Sequence, residues 1–271
     1  MSISPTTSPR RAYRWLLPWL LPWLLAASPV AHAQMEVRLA FVGDLSSSAY
    51  QGVREGLAEA EIQGQFLGQH YTLVTETAGA TAILAALPAA KLQALAASHP
   101  GIAVLNLTAQ DDPLRTACRA NLLHIAPSTQ MLADARAQWQ VGHPSSVPVA
   151  QVWDSGFEKY AASQLNHRFT ALTGQPMDDA AWAGWAAVKL VSDRVARAPS
   201  AAPATLLADL RLPLAFDGQK GIDLSFRTNG QLRQPLLLVE NHKVVGEAPV
   251  RGVAEAENLD SLGLVQCLPQ P

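Results

Sequence analysis

The chain is poor in most of the features that announce a function. Only 15% of its 271 residues are charged, the formal net charge is −2, and no stretch gathers lysines and arginines into a basic stripe. Nucleic-acid binding therefore has no electrostatic footprint. Aromatic residues make up 6%, and there are two cysteines, Cys118 and Cys267, neither with a second thiol or a histidine at metal-ligand spacing. The six histidines after residue 33, at 70, 99, 124, 143, 167 and 242, are scattered and none pairs at metal spacing. No Gly-x-Ser-x-Gly, Walker loop or His-Glu-x-x-His is present, and Asp178-Asp179 reads as a helix start rather than a carboxylate pair. No catalytic residue, metal or cofactor is expected. Beyond residue 27 there is no second long apolar run, so the rest of the chain reads as soluble.

What is present begins at the N-terminus. Arg10, Arg11 and Arg14 precede an apolar run from Trp15 to Ala27, followed by the small-residue frame Ala31-His32-Ala33. This reads as a secretory signal peptide, residues 1–33, cut before Gln34. A membrane anchor fits less well, because the run falls short of ~20 residues and contains Pro18 and Pro22. The Arg pair fits twin-arginine export poorly. Removing the leader takes three arginines and no acid, leaving a net charge of −5. Export to the periplasm makes a Cys118–Cys267 disulfide the natural pairing.

Hydrophobic residues at 49% argue for a packed core. Residues 36–43 read as a buried strand. A polar loop, 44–48, leads into a helix with Tyr50, Val53, Leu57 and Ala60 on one face, closed by Gly64 and Gly68. His70 to Glu76 is a second strand. Ala80 to Leu87 then follows after only three residues, too few for a parallel crossover. Three explanations stand: an antiparallel pair, a partly helical segment, or a lost crossover helix. A helix from Pro88 to Ser98, a strand at 102–107, a loop at 109–115 and a short strand at 122–125 come next. A helix from Pro127-Ser128 carries Met131, Leu132, Ala135 and Trp139. Residues 142–148 read as a linker, 158–172 as a helix, and a longer helix from Asp178 bears the stripe Trp182, Trp185, Val188, Val191 and Val195. Residues 198–204 read as a loop. The end is β-rich, with a hairpin at Asn229-Gly230. The domain order is thus leader 1–33, α/β lobe 34–141, linker 142–148, and returning helices with a β-meander, 149–271.

Four segments carry a resemblance. They are the strand, polar loop and Ser48-Ala49-Tyr50-x-Gly52 helix; Leu122 to Ser128; Ala181 to Val188; and Gly218 to Gly221 with Leu224 to Arg227 and Gly230 to Pro235. Their order resembles the type I periplasmic binding proteins of ABC importers, in the branched-chain amino-acid and amide group. The last cluster looks like the subfamily associated with pyrroloquinoline-quinone-dependent alcohol oxidation. The resemblance implies a Rossmann-like α/β lobe that clamps an amino-acid-like solute against a second lobe and serves an ABC permease. It also implies that about a lobe's worth of chain is missing after Trp139.

Site candidates follow from the resemblance and from the rule that open α/β sheets bind ligands beyond the carboxyl ends of their strands. They are Asn106, Thr108 and Ala109, with ordinary loop hydrogen bonding as the plain alternative. Ser46 and Ser47 follow, with helix capping as theirs, and Trp182, with core packing as its own. If ligand capture is lost with the second lobe, the exposed cleft face would suit a partner protein or a homodimer instead.

Overall fold

The computed structural model describes residues 34–255, 257–263 and 266–267. The leader read at 1–33 lies outside them. Met35–Val42 (β1), Gln69–Val74 (β2), Ala82–Ala85 (β3), Ala103–Asn106 (β4) and Leu122–His124 (β5) form one parallel sheet in the order β2-β1-β3-β4-β5. The inner strands β3 and β4 and the short β5 are almost wholly apolar and buried throughout, as strands covered on both faces must be, whereas the edge strand β2 carries Gln69, His70 and Thr72. Alternate residues feed opposite faces. Val37, Leu39, Leu84, Leu105 and Leu123 enter the larger core, and Ala40, Ile83, Val104 and Leu122 the smaller one.

Helix α1, Ser48–Leu67, is capped at its start by Ser47, whose hydroxyl accepts from Tyr50 N–H. It ends at Gly68, which adopts φ +66°. It packs against α6, Asp179–Arg197, at backbone distance: a Cβ on Gly52 would sit 1.8 Å from the Ala181 carbonyl oxygen, and one on Gly184 2.2 Å from that of Ala49. Glycine at both positions permits the close crossing. Helix α2, Ala89–Ser98, covers the opposite face through Leu92 and Ala96.

The short link before β3 has a simple resolution. β2 and β3 do not pair; each lies parallel to β1 on opposite sides of it. β2 ends beside Ala40, and β3 begins beside Leu39. The chain therefore enters β3 at the height where it left β2 and has no strand length to retrace. This corrects the antiparallel and helical alternatives. Most of the segment read as a loop at 109–115 falls in a short helix (α3, Asp112–Thr116). Helix α4, Thr129–Gly142, is capped by Ser128 as its sequence suggested.

After α4 the chain makes a strand that periodicity did not reveal. β6, Val149–Gln151, pairs antiparallel with β9, Leu236–Glu240, and β9 pairs with β10, Lys243–Ala248. Helix α5 spans Ala162–Thr173 and starts later than expected, after Tyr160 and Ala161 adopt positive φ. Helix α7, Pro203–Asp209, begins at the end of the 198–204 loop. The Asn229-Gly230 hairpin joins β7, Ser225–Phe226, to β8, Leu232–Arg233. Its tip docks on the free edge of the parallel sheet: His124 N–H donates to the Gly230 carbonyl at 2.7 Å, and Gln231 bridges to His124. A Cβ on Gly230 would meet the Leu122 carbonyl at 2.2 Å, so a side chain there would lift the hairpin off β5. The Cys118–Cys267 disulfide ties the C-terminal segment to the loop before β5, across 149 residues of sequence. No described helix is long and apolar enough to cross a membrane.

Candidate functional site

The strand order reverses at β1, with β2 on one side and β3 on the other. A doubly wound sheet opens its crevice beyond the carboxyl ends at such a switch point. Two loops meet there. Gly43 to Ser47 follow β1, and Ala86 to Pro88 follow β3. They are in contact, since a Cβ on Gly43 would lie 3.0 Å from Ala86. Gly43, Asp44, Leu45 and Ser46 are exposed. Ser46 N–H and hydroxyl both donate to Asp44 Oδ1, at 2.8 and 2.7 Å, which folds the loop tightly and draws the Asp44 carboxyl below its usual range. Ser47 caps α1 and donates its own proton to the Asp44 carbonyl.

One strand further along, the structure separates three neighbours at the end of β4 and in the loop after it. Thr108 is exposed at the rim. Asn106 is fully buried and fully used: its Oδ1 accepts from Ala109 and Thr108 N–H, and its amide nitrogen donates to the Ala109 carbonyl and His124 Nδ1. Ala109 is buried with it. Asn106 and Ala109 thus have the structural role, and only Thr108 faces outward.

Trp182 is likewise interior. It has no exposed surface, donates its indole N–H to the Gly218 carbonyl at 3.0 Å, and stacks 6.0 Å from Trp153. The expectation that it lines a cleft is corrected: it belongs to the core stripe that its helical spacing also allowed. Of the six expected contacts, the structure brings Ser46 and Ser47 together at the switch point and sets Thr108 on the same edge.

Two buried cations that the sequence reading did not single out tie distant segments together, Arg115 at this edge and Lys220 beside Trp182. Arg115 on α3 is buried and links three segments. Its guanidinium donates to the Ala109 carbonyl after β4, to the Ala126 and Pro127 carbonyls after β5, and through Nε to Gln231 in the hairpin at 2.8 Å. Lys220 Nζ donates to the Val152 and Pro235 carbonyls, each at 2.8 Å, and to Gln234, and lies 4.3 Å from the Trp182 ring centre. Burial pushes the Arg115 guanidinium down to about 10 and the Lys220 amine down to about 7. Both lie in polar segments, at 111–116 and 217–223, so nothing local marks either as a buried hub.

Beside the switch point lies a hollow of about 650 Å³ between the first half of α1 and the link from α5 to α6. Ser46 and Ser48 border it, with Arg54, Leu172 and Pro176 among the others. Among the described residues, no group of three or more His, Cys, Asp or Glu could hold a metal ion.

No protein-family profile matches the sequence, and no curated protein matches it. Solved structures do. An ABC transporter substrate-binding protein from Desulfitobacterium hafniense superposes with a TM-score of 0.63 at 14% identity, covering 78% of this chain and 98% of that one. A branched-chain amino acid ABC transporter periplasmic ligand-binding protein from Burkholderia xenovorans LB400 gives 0.66 at 14% identity, covering 78% and 95%. A branched-chain amino acid transporter substrate-binding protein from Streptococcus pneumoniae, in complex with isoleucine, gives 0.60 at 12% identity, covering 79% and 98%. At such identities the likeness is one of fold. The parallel sheet with its switch point at β1, and the superposition over more than three quarters of the chain, give this protein the type I periplasmic-binding-protein fold.

Proposed function

We propose that this chain is the solute-binding component of an ABC-type importer, or a shortened relative of one, taking an amino-acid-like or other small organic solute in the periplasm. The observation that carries the reading is the switch-point edge. The loops after β1, β3 and β4 present Ser46 and Thr108 outward from a rigid parallel sheet, in a fold whose solved examples include amino-acid transport proteins. Exposed hydroxyls on rigid elements suit the charged ends of a small zwitterion. The shortened form is suggested by the single parallel sheet among the described residues; the 95–98% spans over the neighbours weigh against it. The link to quinone-dependent alcohol oxidation rests on the resemblance at 218–235. There Gly218, Lys220, Gln231 and Gln234 are all taken up by internal hydrogen bonds. The rival reading, a docking or dimerisation module, has no observation of its own to carry it.

A thermal-shift screen of the purified protein against amino acids, amides, organic acids, short alcohols and pyrroloquinoline quinone tests the proposal. A ligand held only by the folded state stabilises it by about 2.7 kcal/mol at a hundred times its Kd. The expected result is a saturable rise with one class, weakened by Thr108→Ala and Ser46→Ala. A cooperative melt that no solute moves would sink the binding reading.

A further inference from the structure

We infer that the hollow between α1 and the α5–α6 link binds an organic carboxylate with an apolar body; this rests on the solute-binding reading and specifies its ligand. At about 650 Å³ the hollow has the size of a small-molecule site. Its polar lining is rich in free donors. Arg54 is exposed, its guanidinium touches only Gln51 Oε1 at 3.2 Å, and no carboxylate pairs with it among the described residues. That contact leaves the Gln51 amide N–H groups available, and the Ser48 hydroxyl and the Gln175 side-chain amide have no partner among the described residues.

The acid at the rim is already engaged. Asp178 Oδ1 accepts from Ala181 N–H at 2.8 Å as the cap of α6, and the helix start offsets its charge. The cavity therefore favours an anion, and a guanidinium prefers a planar carboxylate it can grip with two N–H groups.

The opposite wall is apolar. Phe169 and Leu172 lie on one face of α5, and Pro176 follows in the link. Leu172 is 43% exposed. A hydrocarbon body laid on it would leave water together with it. Inorganic phosphate would satisfy Arg54 and leave that wall wet, so the shared chemistry of wall and cation selects an organic acid.

Isothermal titration with hexanoate, acetate, 1-hexanol, hexylamine and inorganic phosphate tests this. Hexanoate is expected to bind, acetate at least fivefold more weakly, and hexanol, hexylamine and phosphate not measurably. Arg54→Gln is expected to weaken hexanoate at least tenfold, with Arg54→Lys recovering part of the loss. Leu172→Ser is expected to erase the preference for hexanoate over acetate. Both positions are at the surface, and a native far-UV spectrum and melting point confirm each fold. Unchanged hexanoate binding in Arg54→Gln, or hexylamine binding as tightly, overturns the inference. If leucine binds in a Thr108-dependent way while hexanoate does not, this inference falls and the transport reading stands. If no solute of any kind binds, both fall.

Discussion

Asn106 and His124 face each other on adjacent strands, and the Asn106 amide nitrogen donates to His124 Nδ1 at 3.0 Å, with both residues wholly buried. The orientation of the Asn side chain is dictated: its oxygen must meet two N–H groups, from Thr108 and Ala109, so its nitrogen must face the imidazole. Asn106→Ala would leave those donors and the Ala109 carbonyl unmatched in the interior. The expected loss is about 2–4 kcal/mol of stability, read from urea unfolding. Asn106→Asp should cost at least as much, since a carboxylate cannot donate to either the carbonyl or the imidazole.

His124 sets a pH dependence. Burial, with the Arg115 guanidinium nearby, holds its pKa well below 6.5. In the unfolded chain the ring takes a proton as pH falls through about 6.5, while in the folded protein it stays neutral. Protons bound only by the unfolded state lower stability, so stability should fall as pH drops below that value. Unfolding midpoints at pH 7.5 and 5.5 should differ in the wild type, and His124→Gln should reduce the difference.

Lys220 acts in a different window. Its amine titrates near 7 when folded against an ordinary value of 10.5. Between these values the unfolded chain holds a proton that the folded one has released, so stability should rise with pH from about 7 toward 10.5. Lys220→Met should flatten that rise. Lys220→Ala should cost about 3–5 kcal/mol, because it strips donors from the Val152 and Pro235 carbonyls and opens space beside Trp182. Calorimetric melts of the three proteins at pH 7 and 9 check both statements.

Gly52→Ala reverses the ordinary helix rule. Alanine in a helix interior is favoured over glycine by about 1 kcal/mol, yet here the new methyl would land inside the Ala181 carbonyl. Moving α1 off α6 should cost about 1–3 kcal/mol or more. Gly142→Ala, where a Cβ meets nothing within 4 Å, is the control and should leave the melting point almost unchanged.

Reduction of the Cys118–Cys267 bridge should destabilise the protein by about 2–4 kcal/mol, the common range for a native disulfide. The C-terminal segment should stay docked, because Arg227 still holds the Leu259 and Leu262 carbonyls. Melts with and without reductant, with Cys118→Ala/Cys267→Ala as reference, give the answer. A loss too small to measure would show that the bridge is redundant with those contacts.

The sequence by itself determined what local rules govern. Apolar runs marked β3, β4 and β5, because strands buried on both faces need no alternation. The serines at 46–48, Ser128 and the Asp178-Asp179 pair marked three helix starts, because each supplies the oxygen that a first turn lacks, and the structure chose Ser47 and Asp178 among the alternatives. Asn229-Gly230 marked the hairpin, because Gly230 takes a positive φ there. Only the tertiary structure decided the rest. β6 is three residues long and carries no period of its own; its pairing with β9 defines it. The placement of β3 on the far side of β1 turned on a register offset that spacing cannot encode. Asn106 and Thr108 are two residues apart, yet one is a buried hub and the other a rim hydroxyl. That division comes from His124, sixteen or more residues away in sequence and one strand away in space.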